Sequence, residues 1–234
     1  MEILRGCGGY YLCPKDQDGR RLGPLCGLAG TYLDERSGQQ LHFVSDVYYN
    51  FAKAEEYPLV MDNYTKHLAS YVKSTIGDKI DYFVGAPMGG IVTAVYLAQH
   101  TSFCRFVFAE KKVIALATES SREKTVLNLN RHELEAGTTA VIVEDVCTNF
   151  STTEELRKLI ENASVKILGI ACLLNRSPMT TWKDLPVIAL VHEVLPQSRQ
   201  DDPAVAQDVA QGNVVWKVKN EWERLKEAIQ AHPR

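Results

Sequence analysis

Apolar positions follow two different rhythms along this chain. From residue 57 onward, short continuous apolar runs alternate with stretches whose apolar residues recur every three or four positions. "YPLVMDNYTKHLASYVKSTIG" (57–77) has the helical spacing and a glycine stop. "KIDYFVGAP" (79–87) reads as a buried strand, and "MGGIVTAVYLAQH" after it as a glycine turn opening a helix. "CRFVFAEKK" (104–112) is a second strand. "TTAVIVED" (138–145) and "VKILGIACLLN" (165–175) bracket a helix over 153–162, whose Leu156, Leu159 and Ile160 give it one apolar face. "LPVIALVHEV" (185–194) closes the series. Continuously apolar strands separated by helices predict an α/β fold with a parallel, Rossmann-like sheet covered on both faces.

The first 55 residues keep a different rhythm. Gly, Tyr, Pro and Cys are interspersed with period-two patches such as "TYLDE" and "LHFVSDVYYNF", which predicts a small β-rich hood over residues 1–55. Residues 56–234 are assigned to the core together with C-terminal helices. Asp202 is a good helix N-cap with Pro203 at the first helical position, and "NEWERLKEAIQA" is a last amphipathic helix.

Composition narrows the class. The 234 residues are 45% hydrophobic and 24% charged with a net charge of -3, ordinary for a globular chain and without the basic excess of a nucleic-acid binder. No apolar run approaches the roughly 20 residues of a membrane span, and the N-terminus has no secretion-signal pattern, so a cytoplasmic location is expected. The six cysteines form no CxxC pair and read as reduced, structural residues. A metal knuckle of Cys7, Cys13 and Cys26, completed by His42, is the alternative.

In an open parallel sheet, ligands bind at the carboxyl ends of the strands. Three ends carry chemistry here: "APMGG" (86–90), "EKK" (110–112) and "EDVCTNFST" (144–152). In the third, Thr148 to Thr152 lie between a strand and a helix, where backbone N–H groups and hydroxyls suit a phosphate. Glu144 and Asp145, at the strand end, suit vicinal hydroxyls. Phosphate on one side and a diol on the other describe a ribose 5-phosphate. The plain alternative is an acidic strand end followed by a helix cap.

"VIVEDVCTNFSTTEE" resembles the phosphoribosyl pyrophosphate signature of the type I phosphoribosyltransferases, the orotate phosphoribosyltransferases above all. "FVSDVYYNF" (43–51) is similar to their Ser-x-x-Tyr-x-Asp stretch, "FVGAPMGGIVTA" to their pyrophosphate loop, "FAEKK" to a strand end and "GIACLLNRS" to the strand that follows. The resemblance runs in collinear order over roughly residues 40–225.

It implies transfer of phosphoribosyl from 5-phosphoribosyl 1-pyrophosphate to a base, most simply orotate, with Mg2+ as cofactor and pyrophosphate released. It also implies a homodimer, while the charge balance and the lack of a long apolar run lead us to expect neither nucleic acid nor membrane as partner. By resemblance, Glu144 and Asp145 hold the ribose hydroxyls near the developing cation. Thr148, Asn149, Phe150, Ser151 and Thr152 wrap the 5-phosphate. Ala86, Pro87, Met88, Gly89 and Gly90 meet the pyrophosphate, Lys111 and Lys112 bring charge to it, and Arg176, with Thr148, meets the base. Residues 113–137 fall where the family has a lid, with Arg122, Lys124, Arg131 and His132 as its candidates.

Three positions depart from the family pattern: Phe150 where glycine is usual, Val113-Ile114-Ala115 after the lysines, and "LHFV" before Ser45. Bland readings stand beside the functional ones, a solvated strand end for the lysines, a plain turn for the glycines and a surface ion pair for Arg176. A non-catalytic binder of phosphoribosyl pyrophosphate or a nucleotide on the same scaffold, or a transferase for another purine or pyrimidine, are the alternative functions.

Overall fold

The computed structural model describes residues 2–101, 104–115 and 124–232. They divide into two compact units, one of residues 55–194 and the other of residues 1–54 with 195–234.

The N-terminal segment contributes α1 (Glu2–Gly6), β1 (Tyr10–Leu12), β2 (Leu25–Leu33), β3 (Gln40–Ser45), β4 (Val47–Tyr49) and α2 (Ala52–Glu55). β1 and β4 pair antiparallel, as do β2 and β3, so the expected β-rich character is present.

The larger unit begins with α3 (Pro58–Ile76). Proline opens it, and Gly77, with φ 86°, closes it by donating its N–H to Lys73 O at 3.0 Å. Met61, Tyr64, Leu68 and Val72 form its buried face. Next come β5 (Tyr82–Gly85), α4 (Gly89–Gln99), β6 (Arg105–Phe108), the hairpin β7 (Glu110–Ala115) and β8 (Lys124–Asn128), then β9 (Thr139–Cys147) and α5 (Ser151–Asn162). β10 (Lys166–Asn175), β11 (Thr181–Trp182) and β12 (Leu185–His192) complete it.

The central sheet has the order β11-β12-β10-β9-β5-β6, parallel except for the edge strand β11. Alternation along the strands sorts the core. Tyr82, Val84, Ala140, Ile142, Ile170 and Cys172 cluster with Leu156 and Ile160 of α5. Phe83, Val141 and Val143, equally buried, are left for the other face, where α4 packs on β5 and β9. Both faces are covered, which is why the strands are continuously apolar.

The expected strand over 104–112 is two strands. β6 ends at Phe108, and the chain then turns into β7, which among the described strands pairs only with β8. The stretch carries no breaker residue, so its division comes from the partner available to each half. Residues 113–115 and 124–128 of the expected lid are strand, and Arg122 lies outside the described residues.

The C-terminal segment departs from the expectation too. It supplies α6 (Ala206–Ala210), β13 (Val214–Val215) and α7 (Trp222–Ala231), and these belong with the N-terminal unit, not with the core. β13 pairs in parallel with β2 through Val214–Leu25 and Val215–Cys26. Trp222 and Leu225 bury against Tyr11, Cys13 and Cys26. An edge of β2 and an apolar stripe on α7 are satisfied by one another's neighbourhood. Asp202 does not cap a helix beginning at Pro203; its carboxylate accepts the Ala204 N–H at 2.9 Å within a turn, and α6 starts at Ala206.

Cys13 and Cys26 are fully buried, and the Cys13 thiol lies 3.1 Å from Gly23 O. His42 Nδ1 contacts Leu28 O at 2.9 Å. Among the described residues no group of three or more His, Cys, Asp or Glu side chains is placed to hold a metal ion. Nor, among them, is any helix long and apolar enough to cross a membrane.

Candidate active site

β5 and β9 are neighbours in space, but the connections that follow them run in opposite directions, β5 to β6 and β9 to β10. This is the topological switch point of the sheet, where a crevice opens at the strands' carboxyl ends.

The glycine turn after β5 is dictated by packing. Ala86 is fully buried and donates its N–H to Val143 O at 2.9 Å, which ties the turn to β9. A Cβ on Gly90 would stand 2.1 Å from Val143 O, inside any contact distance. A Cβ on Gly89 would stand 2.2 Å from the carboxylate of Asp145. The glycines therefore bring bare backbone against β9 and against one member of the acidic pair. Pro87 is half-buried and Met88, 78% exposed, stands at the mouth of the turn. The Pro87–Met88 peptide is cis.

Glu144 and Asp145 do not end β9, contrary to the sequence reading. The strand runs on through Val146 and Cys147, which pair with Leu174 and Asn175, because β10 is long enough to keep the ladder satisfied. Both carboxylates are half-buried, and Asp145 Oδ1 accepts the Val146 N–H at 2.8 Å. Beneath them, the Cys147 thiol is pushed well above its usual range by its contact with Cys172, together with burial. It stays protonated and acts as core.

The turn from β9 to α5 is short: Thr148, half-buried, then exposed Asn149, then Phe150. Phe150 takes the left-handed conformation, φ 57° and ψ 20°, at the cap position of α5. It therefore adopts the backbone shape for which glycine is ordinarily used. The ring is 3% exposed and stacks on Trp182, centroids 5.3 Å apart and planes inclined by 16°. Asn149 Oδ1 accepts from the Ser151 hydroxyl at 3.1 Å and from its N–H at 3.3 Å. Exposed Ser151 and half-buried Thr152 begin the helix, whose first N–H groups have no acceptor within it.

Near that N-terminus the charge is balanced. Glu154 is bound by Arg157 Nε at 2.9 Å and by Lys183 Nζ at 2.8 Å, and these cations lower its pKa to about 2. Trp182 and Lys183 were not anticipated from the sequence. The one local signal is the "WKDL" hairpin, whose importance depends on a partner distant in the chain.

Arg176 follows β10 directly. It is 7% exposed, and its N–H donates to Cys147 O at 3.0 Å, so the residue is pinned beside the end of β9. The turn after it is fixed by Asn175, whose Oδ1 accepts the Ser177 N–H at 3.0 Å and whose side-chain amide donates to Met179 O at 2.7 Å. His192 Nε2 holds Ser177 O at 2.8 Å.

The lysine pair is not at a core strand end. Lys111 and Lys112 are exposed on the β7–β8 hairpin, opposite Leu127 and Val126. Successive strand residues point to opposite faces, so the two side chains leave the strand on opposite sides. Of the lid candidates, Arg131 pairs with Glu110 at 3.0 Å, and the His132 ring packs edge-on against Phe108 at 4.8 Å. Lys124 opens β8.

Comparison with known proteins converges on one family. A model described as "Phosphoribosyl transferase domain" matches residues 55–190, almost the whole of the larger unit. Orotate phosphoribosyltransferase 2 of Mesorhizobium japonicum is 30% identical over 129 residues, 55% of this chain and 61% of that protein. Orotate phosphoribosyltransferase of Thermoanaerobacter sp. (strain X514) is 30% identical over 148 residues, 63% of this chain and 70% of the relative. Among solved structures, orotate phosphoribosyltransferase from Aeropyrum pernix superposes with a TM-score of 0.54 at 12% identity. That superposition covers 90% of this chain and 98% of that one, a likeness of fold.

Proposed function

The chain belongs to the phosphoribosyltransferase family, and from that premise we propose that it transfers phosphoribosyl from 5-phosphoribosyl 1-pyrophosphate to orotate, releasing pyrophosphate. The observation that carries this reading is the close approach of the glycine turn to the acidic strand: Asp145 occupies the space where Gly89 would carry a side chain. A leaving pyrophosphate on that turn and a ribose on those carboxylates would then be adjacent, as the reaction requires.

In the reaction the bond between the anomeric carbon and the pyrophosphate oxygen breaks, and positive charge develops on the ribose. Glu144 and Asp145 accept hydrogen bonds from the ribose hydroxyls and lie beside that charge. The N–H groups at the start of α5, with the Ser151 and Thr152 hydroxyls, hold the 5-phosphate. Arg176 presents a planar fork to the orotate carboxylate. Positioning the base against the anomeric carbon replaces an encounter in solution.

Magnesium suits this donor set, since it is ordinarily held by one or two carboxylates plus substrate phosphate oxygens, and when bound it neutralises charge on the leaving group. Asp145, next to the glycine turn, is the residue we assign to it, with Glu144 beside it.

A second reading, a binder without turnover, draws on Phe150 in place of glycine. The left-handed conformation of Phe150 weakens that argument, because the loop keeps the shape glycine would give it. The test is calorimetric titration of phosphoribosyl pyrophosphate with Mg2+, alongside orotate consumption followed by absorbance. Binding with turnover, reduced on the order of 100-fold in Asp145→Asn, supports the enzyme. Binding without loss of orotate or any other base favours the regulator, and absence of binding removes both.

A further inference from the structure

We propose that Trp182, with Lys183 beside it, is a positioning residue that holds the phosphate loop in its receiving shape. The inference rests on the reading of residues 148–152 as the 5-phosphate site.

A bulky residue in the left-handed region is held there only where its surroundings over-determine it. Two links from one hairpin do so for Phe150. The first is the stack of its ring on Trp182. The second reaches the first turn of α5: Lys183 Nζ lies 2.8 Å from Glu154 Oε2 and 5.1 Å from the Trp182 ring centroid. Stack and ion pair hold the two ends of one turn of chain, Phe150 and Glu154.

The hairpin is itself built to present these two groups. β11 and β12 are joined by Lys183 and Asp184, with φ of 48° and 64°. Two consecutive left-handed residues make the tight turn that matches strand twist. Trp182 is thereby fixed as the last residue of β11, paired with Leu185, and Lys183 as the first of the turn.

Charge gives the lysine a second role. Glu154 in the first turn of α5 would oppose an incoming phosphate. Lys183 and Arg157 both engage it and cancel its charge locally. The hairpin thus fixes the loop's shape and removes the charge that would repel its ligand.

The test combines titration of phosphoribosyl pyrophosphate with amide exchange over residues 148–153 of the ligand-free protein. Trp182→Ala is expected to weaken phosphoribosyl pyrophosphate about tenfold, the equivalent of the left-handed preference it upholds, and to speed exchange in that segment. The KM for the base stays unchanged, and Trp182→Phe retains both properties. In a Phe150→Gly background, Trp182→Ala adds no further loss, because glycine needs no support.

Unchanged affinity in Trp182→Ala overturns the proposal, as does an equal loss in the Phe150→Gly background. If Trp182→Ala does not fold, Lys183→Gln, at an exposed site, decides. A weakening of about threefold that fades with salt supports the proposal, and no change overturns it. If the natural protein binds no phosphoribosyl pyrophosphate, the phosphate-site reading fails and the positioning role with it. That outcome is seen before any variant is made.

Discussion

Two strand-to-helix turns meet at the carboxyl edge of the central sheet, one after β5 and one after β9. In the first, space is the limit: a side chain at Gly90 would run into a β9 carbonyl, which cannot move, and one at Gly89 into the side chain of Asp145. In the second, Phe150 performs the conformational task of a glycine, and its side chain has a place to go, stacked on Trp182. One turn lacks space and the other lacks only conformational freedom. Glycine is irreplaceable for the first need, whereas the second can be met by a residue with enough packing around it.

Substitutions can break or sharpen that contrast. The largest expected effect is in Gly90→Ala, where the obstacle is backbone of a central strand and cannot move aside. Overpacking of this kind is expected to cost about 3 kcal/mol or more, read by urea denaturation. Stability within error of the natural protein would show that the turn has slack.

Phe150→Gly comes next. Loss of a buried aromatic side chain costs about 3–5 kcal/mol, while relief of the left-handed strain returns about 1–2, so packing wins and the variant loses roughly 2 kcal/mol. Phe150→Ala sharpens the point. It forfeits the same ring without relief, so glycine is expected to exceed alanine by about 1 kcal/mol. Alanine equal to or better than glycine would mean that φ is not constrained there.

Gly89→Ala should be milder for folding, within about 1 kcal/mol, because a carboxylate side chain can swing away where a carbonyl cannot. Its effect should appear in turnover, since the displaced group is Asp145. Full activity in that variant would detach Asp145 from the proposed chemistry.

The smallest effect is in pH. Glu154 has its pKa lowered in the folded state, so its contribution is fully present above the ordinary carboxylate value and disappears as pH falls through about 2. Glu154→Gln should therefore be less stable than the natural protein near pH 7, with the difference shrinking as pH falls toward 2. A difference independent of pH would deny the Lys183 and Arg157 pairing its electrostatic character.

The parallel core was legible in the sequence because strands buried on both faces are apolar throughout, and Gly77 and Pro58 punctuate α3 as local chemistry demands. The stretches proposed to face ligand stand out in the sequence as departures from that monotony, Glu144 and Asp145 in an otherwise apolar strand above all. Three things were not legible. The break at Ala109 was hidden because "RFVFAEKKVIA" is suited to either sheet, and only pairing partners divide it. The allegiance of α7 was hidden because an amphipathic face declares a need for a neighbour without identifying it. The Phe150–Trp182 stack was hidden for the same reason, a contact between residues far apart in the chain that alters the meaning of each. The lysine pair is a different case: strand alternation, invisible until β7 was known to be a strand, turns Lys111 and Lys112 away from each other.

The smaller unit has a consequence for biosynthesis. Its first strands leave the ribosome before the larger unit, yet β13, which pairs with β2, and α7, which closes over Tyr11 and Cys26, are made after it. The segment carrying the transferase motifs is contiguous, residues 55–194, and is complete while the tail is still being translated. The N-terminal residues must therefore wait, with part of their apolar surface uncovered, until residues 195–234 have followed. A nascent chain halted at residue 194 would expose Tyr11 and Cys26 to chaperones, and release of the tail would end that exposure.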